Sequence, residues 1–87
     1  VISIHTFDYD NAAHAYGPES KEGINAIALE AEGFHRIAEA LQQNASGRKT
    51  LLTYSPDHGQ HPGMGGGGLH GSKMIEDMNV LHFFGVV

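Results

Sequence analysis

No cysteine occurs in these 87 residues, so neither a disulfide nor a thiolate zinc site can reinforce the fold, and the soft metal ligands available are seven histidines. Basic side chains are few, five Lys and Arg against ten Asp and Glu, for a formal charge of −5. A nucleic-acid-binding surface needs clustered cations to displace counterions from phosphates, and the five here are scattered. That binding class is excluded; catalysis at a phosphate with bound metal is not. No apolar run approaches the roughly 20 residues of a membrane span, and no basic-then-apolar leader is visible. A cytoplasmic location away from any membrane is the expectation. Length sets a further bound, because a domain this small buries only roughly 60 to 65% of the surface its unfolded chain exposes. The sequence opens at Val1, without methionine and inside an apolar run, which reads as one partial domain over residues 1–87, a piece of something larger.

Patterning supplies an outline. Val1 to His5 reads as a short, largely β-branched buried strand, and the polar stretch Thr6 to Ser20 carries turn signals at Asp10-Asn11 and Gly17-Pro18. From Lys21 to about Gln43, Ile24, Ile27, Ala28, Ala31, Phe34, Ala38 and Leu41 recur at three- and four-residue steps and predict a helix whose apolar stripe is core. Ser20 is placed to cap it, Glu22 suits its first turn, and Asn44 and Gly47 end it. Gly23 and Gly33 each weaken a helix interior by about 1 kcal/mol relative to alanine, so this helix depends on packing against a sheet. Thr50 to Ser55 is a second strand, Gly59 to Gly71 a glycine-rich loop, and Asn79 to Val87 a third strand-like run. Strand, helix and strand in that order predict a right-handed crossover: an α/β fold, part of a mixed, mostly parallel sheet with a flanking helix. Sheets of that kind bind ligands beyond the carboxyl ends of their strands.

Two polar clusters fall at such ends. Asp57-His58-Gly59 follows Leu51-Leu52-Thr53-Tyr54, with His70-Gly71 a short loop later, and Asp8, Asp10 and His14 follow the first apolar run. A carboxylate beside an imidazole offers a cation one hard oxygen and one borderline nitrogen, and Gly59 gives the backbone freedom to turn both toward one point. Asp10 and His14, four residues apart, share a face if that segment is helical. Asp8 is a competing ligand. Mixed Asp and His donors without sulfur suit zinc and also manganese or iron. His5, His35, His61 and His82 read as structural or surface residues, with His61 near enough to Asp57 to support it. The run Gly63 to Gly68 lacks the Lys-Ser/Thr ending of a P-loop and reads as a mobile loop.

These residues resemble a family. Asp10-Asn11-Ala12-Ala13-His14-Ala15-Tyr16-Gly17-Pro18 is similar to the "Asp, three residues, His, two residues, Gly-Pro" segment of the type I phosphodiesterase and nucleotide pyrophosphatase branch of the alkaline phosphatase superfamily. Ser55-Pro56-Asp57-His58-Gly59 resembles its "Ser/Ala-Asp-His-Gly" signature, and His70-Gly71 followed by Glu76-Asp77-Met78-Asn79-Val80 its closing His-Gly segment. The resemblance implies an alkaline phosphatase-like fold and two divalent metal ions, zinc foremost: Asp10, His14 and His70 would match the ligands of one, Asp57 and His58 those of the other. It also implies an early aspartate and a Thr or Ser nucleophile, and no Ser or Thr here stands in a matching context, so Ser55, Ser72 and Thr53 are not given that role. The short interval from His58 to His70 points to a compact, bacterial-type variant.

Two functions from different classes are compatible with these residues. In the first, the chain is the carboxyl-terminal metal-binding part of a phosphate-ester hydrolase acting on a small ester or nucleotide. An activated hydroxyl attacks phosphorus and the phosphoenzyme is then hydrolysed, but this piece alone is expected to be inactive. The remainder of the domain, or a second chain, would complete the sheet. In the second, it is a small non-catalytic metal-binding or interaction module whose ligands stabilise the fold.

Overall fold

The computed structural model describes residues 1–87. Seven elements succeed one another: α1 (Asp8–Tyr16), α2 (Lys21–Gln43), β1 (Leu51–Tyr54), β2 (His61–Pro62), β3 (Gly68–Leu69), α3 (Ile75–Met78) and β4 (Phe83–Val86). The class is mixed α/β. The local signals for α2 operate as the sequence suggests: Ser20 Oγ accepts the Gly23 amide at 3.0 Å, and Asn44 closes the helix with its amide on Ala40.

The sheet departs from expectation. β1 pairs antiparallel with β4, Leu51 opposite Val86 and Tyr54 opposite Phe83, and β2 pairs antiparallel with β3; no strands run parallel. Val1 to His5 forms no strand, so the expected crossover is absent. The physical reason is what β1 finds beside it. One edge takes up β4, which arrives head to tail after the chain has doubled back through the hairpin and α3. Its other edge has no strand partner, and the segment from Ile4 to Asp10 lines, together with Leu52 to His58, a groove of about 500 Å³.

The apolar stripe of α2 is also not the core it was expected to be. Ile24 is 57% exposed and Ile27 48%, while Phe34 is half-buried, edge-on to Tyr54 at 5.8 Å. A helix of 23 residues is about 35 Å long, whereas strands of four residues reach only about 13 Å, so the sheet covers only part of it, around Glu30 and Phe34. The buried apolar residues are Ala13 and Ala26, small side chains that let α1 and α2 approach closely. Accessible surface totals 6811 Å², against about 5,000 Å² for a compact protein of this mass, and the radius of gyration is 15.2 Å against about 12 Å. The excess is apolar side chains with nothing packed on them. No helix is long and apolar enough to cross a membrane.

Glu30 and the glycine hairpin hold the functional segments in place. Glu30 on α2 accepts the Tyr9 amide and the Tyr54 hydroxyl, both at 3.2 Å, tying the start of α1 and the end of β1 to one carboxylate. Burial, then the Glu30 charge and hydrogen bond, push the Tyr54 phenol above its ordinary pKa. The glycine run, expected as a mobile loop, turns through a hairpin, with the Gly63 amide on the Gly67 carbonyl at 2.7 Å, and lies against the end of α1. Gly17 ends α1 at φ +106°, a conformation side chains rarely adopt, and faces Gly66 so closely that a Cβ would lie 2.9 Å from its carbonyl oxygen.

Candidate metal centre

Helix geometry brings the first pair together. Asp10 and His14 lie one turn apart on α1, and His14 Nε2 sits 3.4 Å from Asp10 Oδ1. The hairpin then orients the imidazole. A Cβ on Gly68 would overlap the Ala13 carbonyl oxygen, so only glycine lets β3 come this close, and the approach places the Gly68 carbonyl 2.9 Å from His14 Nδ1. A carbonyl can only accept, so Nδ1 carries the proton and Nε2 presents its lone pair. His70, two residues past Gly68, brings its Nε2 to 3.5 Å from the same Asp10 oxygen. Asp10, His14 and His70 thus offer three ligand atoms within 4.8 Å of one another. Asp8, exposed on the first turn of α1, takes no part in this group.

His58 approaches from the other side. Its Nδ1 donates to the Gly59 carbonyl at 2.9 Å, its Nε2 stands 3.8 Å from Asp10 Oδ1, and its ring stacks on His70 with centroids 3.7 Å apart. Asp57 joins only through His58, at 3.7 Å, and its side chain is 71% exposed. Of the five candidate ligands, three, His14, His58 and His70, therefore gather around a carboxylate oxygen of the fourth, Asp10, and the fifth, Asp57, stands at the rim. Gly59 has no positive φ. Its role is therefore not freedom to turn: a Cβ there would overlap the Glu76 carbonyl oxygen, so glycine is required by the close approach of α3.

The donor chemistry fits a divalent cation. At 3.4 to 3.8 Å, His14 and His58 are too far from Asp10 for N–H···O bonds, and each already uses its Nδ1 proton on a carbonyl. Two nitrogen lone pairs and a carboxylate oxygen facing one another form a donor set that suits a cation. Tetrahedral zinc, with bonds of about 2.0 to 2.2 Å, separates its ligands by about 3.4 Å, close to the 3.4 and 3.5 Å found here.

Sequence reasoning missed two residues around this group. Gln60, buried, donates Nε2 to Asp10 Oδ1 at 2.6 Å. Asp77, also buried, accepts His61 Nδ1 at 2.7 Å and the Ser72 hydroxyl and amide at 2.6 and 2.9 Å. Burial alone would raise the Asp77 carboxyl; the bonds from His61 and Ser72 outweigh it and hold it at about 2. His61 therefore belongs to Asp77 and makes no bond to Asp57. His35 pairs with Glu39 on the exposed face of α2.

What this defines is a mixed aspartate and histidine cluster able to hold a divalent ion, on a mixed α/β scaffold. The chain is 31% identical over 59 residues to GPI ethanolamine phosphate transferase 1 of Neurospora crassa, a match covering 68% of this chain and 6% of that protein. The protein of the same name from Aspergillus oryzae is 32% identical over 59 residues, with the same coverage. Those transferases belong to the alkaline phosphatase-like superfamily, and the likeness supports that superfamily for this chain at the superfamily level. The chain spans about 6% of the length of these curated relatives. No family model matches it, and no solved structure does.

Proposed function

We propose that this chain supplies metal ligands to an enzyme acting on phosphate esters, of the type I phosphodiesterase and nucleotide pyrophosphatase kind. One observation carries the reading: a single carboxylate oxygen, Asp10 Oδ1, lies 3.4 to 3.8 Å from the Nε2 atoms of His14, His58 and His70. Asp10, His14 and His70 would hold one divalent ion and His58 with Asp57 a second, zinc foremost, with manganese and iron compatible with the same donors. Such a pair, when bound, stabilises charge on the attacking and leaving oxygens of a displacement at phosphorus. The residues here orient that charge: carbonyls fix two imidazoles, and Gln60 fixes the carboxylate. The nucleophile, and the surface that covers the apolar faces of α2 and β4, belong to further parts of the domain or to a second chain. The names of the relatives favour a second reading within the same chemistry, in which the phosphate group passes to an acceptor other than water.

The test is made on the full-length protein, loaded with zinc or manganese and offered paired mono- and diester nitrophenyl substrates. Metal-dependent release of nitrophenol, abolished by His58→Ala with the fold intact, is the expected result. Turnover that survives exhaustive chelation would sink the proposal. Metal binding without turnover on any ester would leave the non-catalytic module in its place.

A further inference from the structure

His14 and His58 each have a carbonyl that orients the ring; His70 makes no side-chain hydrogen bond of that kind, and its segment belongs to no helix. What tethers it lies on α3. The Asp77 side chain accepts both the amide and the hydroxyl of Ser72, two residues beyond His70. The other oxygen of the same carboxylate accepts His61, and the Asp77 carbonyl accepts the Gly59 amide at 2.7 Å, one residue beyond His58. One residue, 3% exposed, thus bonds the chain just after each of two stacked imidazoles.

We propose that Asp77 is a positioning residue, which fixes the segment bearing His70 against the segment bearing His58 and so sets the separation of the two candidate metal subsites. The inference rests on the proposed metal centre only for its effect on metal; the ring geometry stands without it. The low pKa of Asp77 agrees with three donors, from His61 and Ser72, converging on its carboxylate. The reach of α3 to Gly59 depends on the missing Cβ there, so the glycine of Asp57-His58-Gly59 serves the same tether.

The experiment uses the full-length protein with Asp77→Asn, Ser72→Ala, His61→Ala and His61→Asn, the last retaining a donor toward Asp77. Zinc affinity is measured by chelator competition, and the visible spectrum of the cobalt(II)-loaded protein reports ligand geometry. Asp77→Asn is expected to weaken zinc about 10- to 100-fold and alter the cobalt spectrum. Ser72→Ala should shift both in the same direction by less, and His61→Asn should recover what His61→Ala loses. Unchanged affinity and spectrum in Asp77→Asn would overturn the proposal. Should that variant fail to fold, Ser72→Ala decides by the same two readouts. If the unaltered protein binds neither metal, the metal-centre reading fails by itself, and the crystal structure of the Ser72→Ala or Asp77→Asn variant decides the positioning role: rings moved apart support it, and a retained 3.7 Å stack refutes it.

Discussion

Replacing Gln60 by methionine separates stability from metal binding. Gln60 is 8% exposed, and its Nε2 donates to Asp10 Oδ1 at 2.6 Å, while its Oε1, buried against Gly68, has no hydrogen-bond partner. Since a carboxylate only accepts, the amide is fixed in this sense. A hydrogen bond to a charged acceptor contributes about 1.5 to 3 kcal/mol, and an orphaned buried acceptor costs about 1 to 3 kcal/mol. Gln60→Met removes both at nearly constant volume, so the two changes offset and the metal-free protein should change in stability by under about 1 kcal/mol. Metal binding has no such offset. Without the Gln60 donor the Asp10 carboxylate is free to rotate away from His14 and His70, and loss of an orienting partner of this kind typically lowers metal affinity 10- to 100-fold, about 1.4 to 2.7 kcal/mol. Denaturant unfolding of the metal-free protein and zinc competition at neutral pH measure the two quantities. Unchanged zinc affinity, or a stability loss above about 3 kcal/mol, would refute the reasoning.

The two glycines of α2 should respond oppositely to alanine. At Gly33 a Cβ meets open space, so Gly33→Ala should stabilise by about 0.5 to 1 kcal/mol, whereas at Gly23 it would meet the Gly17 and Pro18 carbonyls at 3.1 and 3.2 Å, so Gly23→Ala should destabilise; melting curves that shift in the same direction would contradict this. Zinc affinity should be lower in acid than at neutral pH, since imidazole must be neutral to ligate; equal affinities at pH 4.5 and 7.5 would count against histidine ligation. Asp77 should behave differently in acid. With its carboxyl held at about 2, the stability it contributes is complete above the ordinary aspartate value near 3.9 and is lost as pH falls through about 2. A carboxyl-carbon NMR titration of Asp77 with a midpoint near 4 would remove that claim.

What could be read from the sequence was what local chemistry dictates. The span of α2 was legible because its cap at Ser20, its periodic stripe and its stop at Asn44 all lie within the segment itself. β1 was legible from Leu51-Leu52-Thr53-Tyr54 for the same reason. The short helix α1 was not, since Asp8 to Tyr16 has little apolar periodicity and its cap, Phe7, makes no side-chain bond. Strand direction depends on which segment meets the free edge of β1, and no residue within β1 encodes that. The ligand set stood out because Asp and His at those spacings are uncommon together. Gln60 and Asp77 did not, because amides and carboxylates occur everywhere and theirs acquire a role only through contacts 50 residues away for Gln60 and 5 to 16 away for Asp77.

The same facts explain how a chain with so little core can hold a site together. Neither buried alanine touches the chemistry directly; it is Gly68, lacking a Cβ, that packs on the Ala13 carbonyl and so carries an acceptor to His14. One helical turn sets Asp10 against His14, and one buried residue, Asp77, bonds the two remaining imidazole-bearing segments, the His70 segment through its carboxylate and the His58 segment through its carbonyl. Each constraint is a short polar or steric contact, independent of the apolar area left open on α2 and β4. The ligand geometry should therefore respond more strongly to Gln60, Gly68 and Asp77 than to exposed apolar residues such as Ile24 or Phe84, 57% and 79% exposed, whose packing must come from whatever covers them.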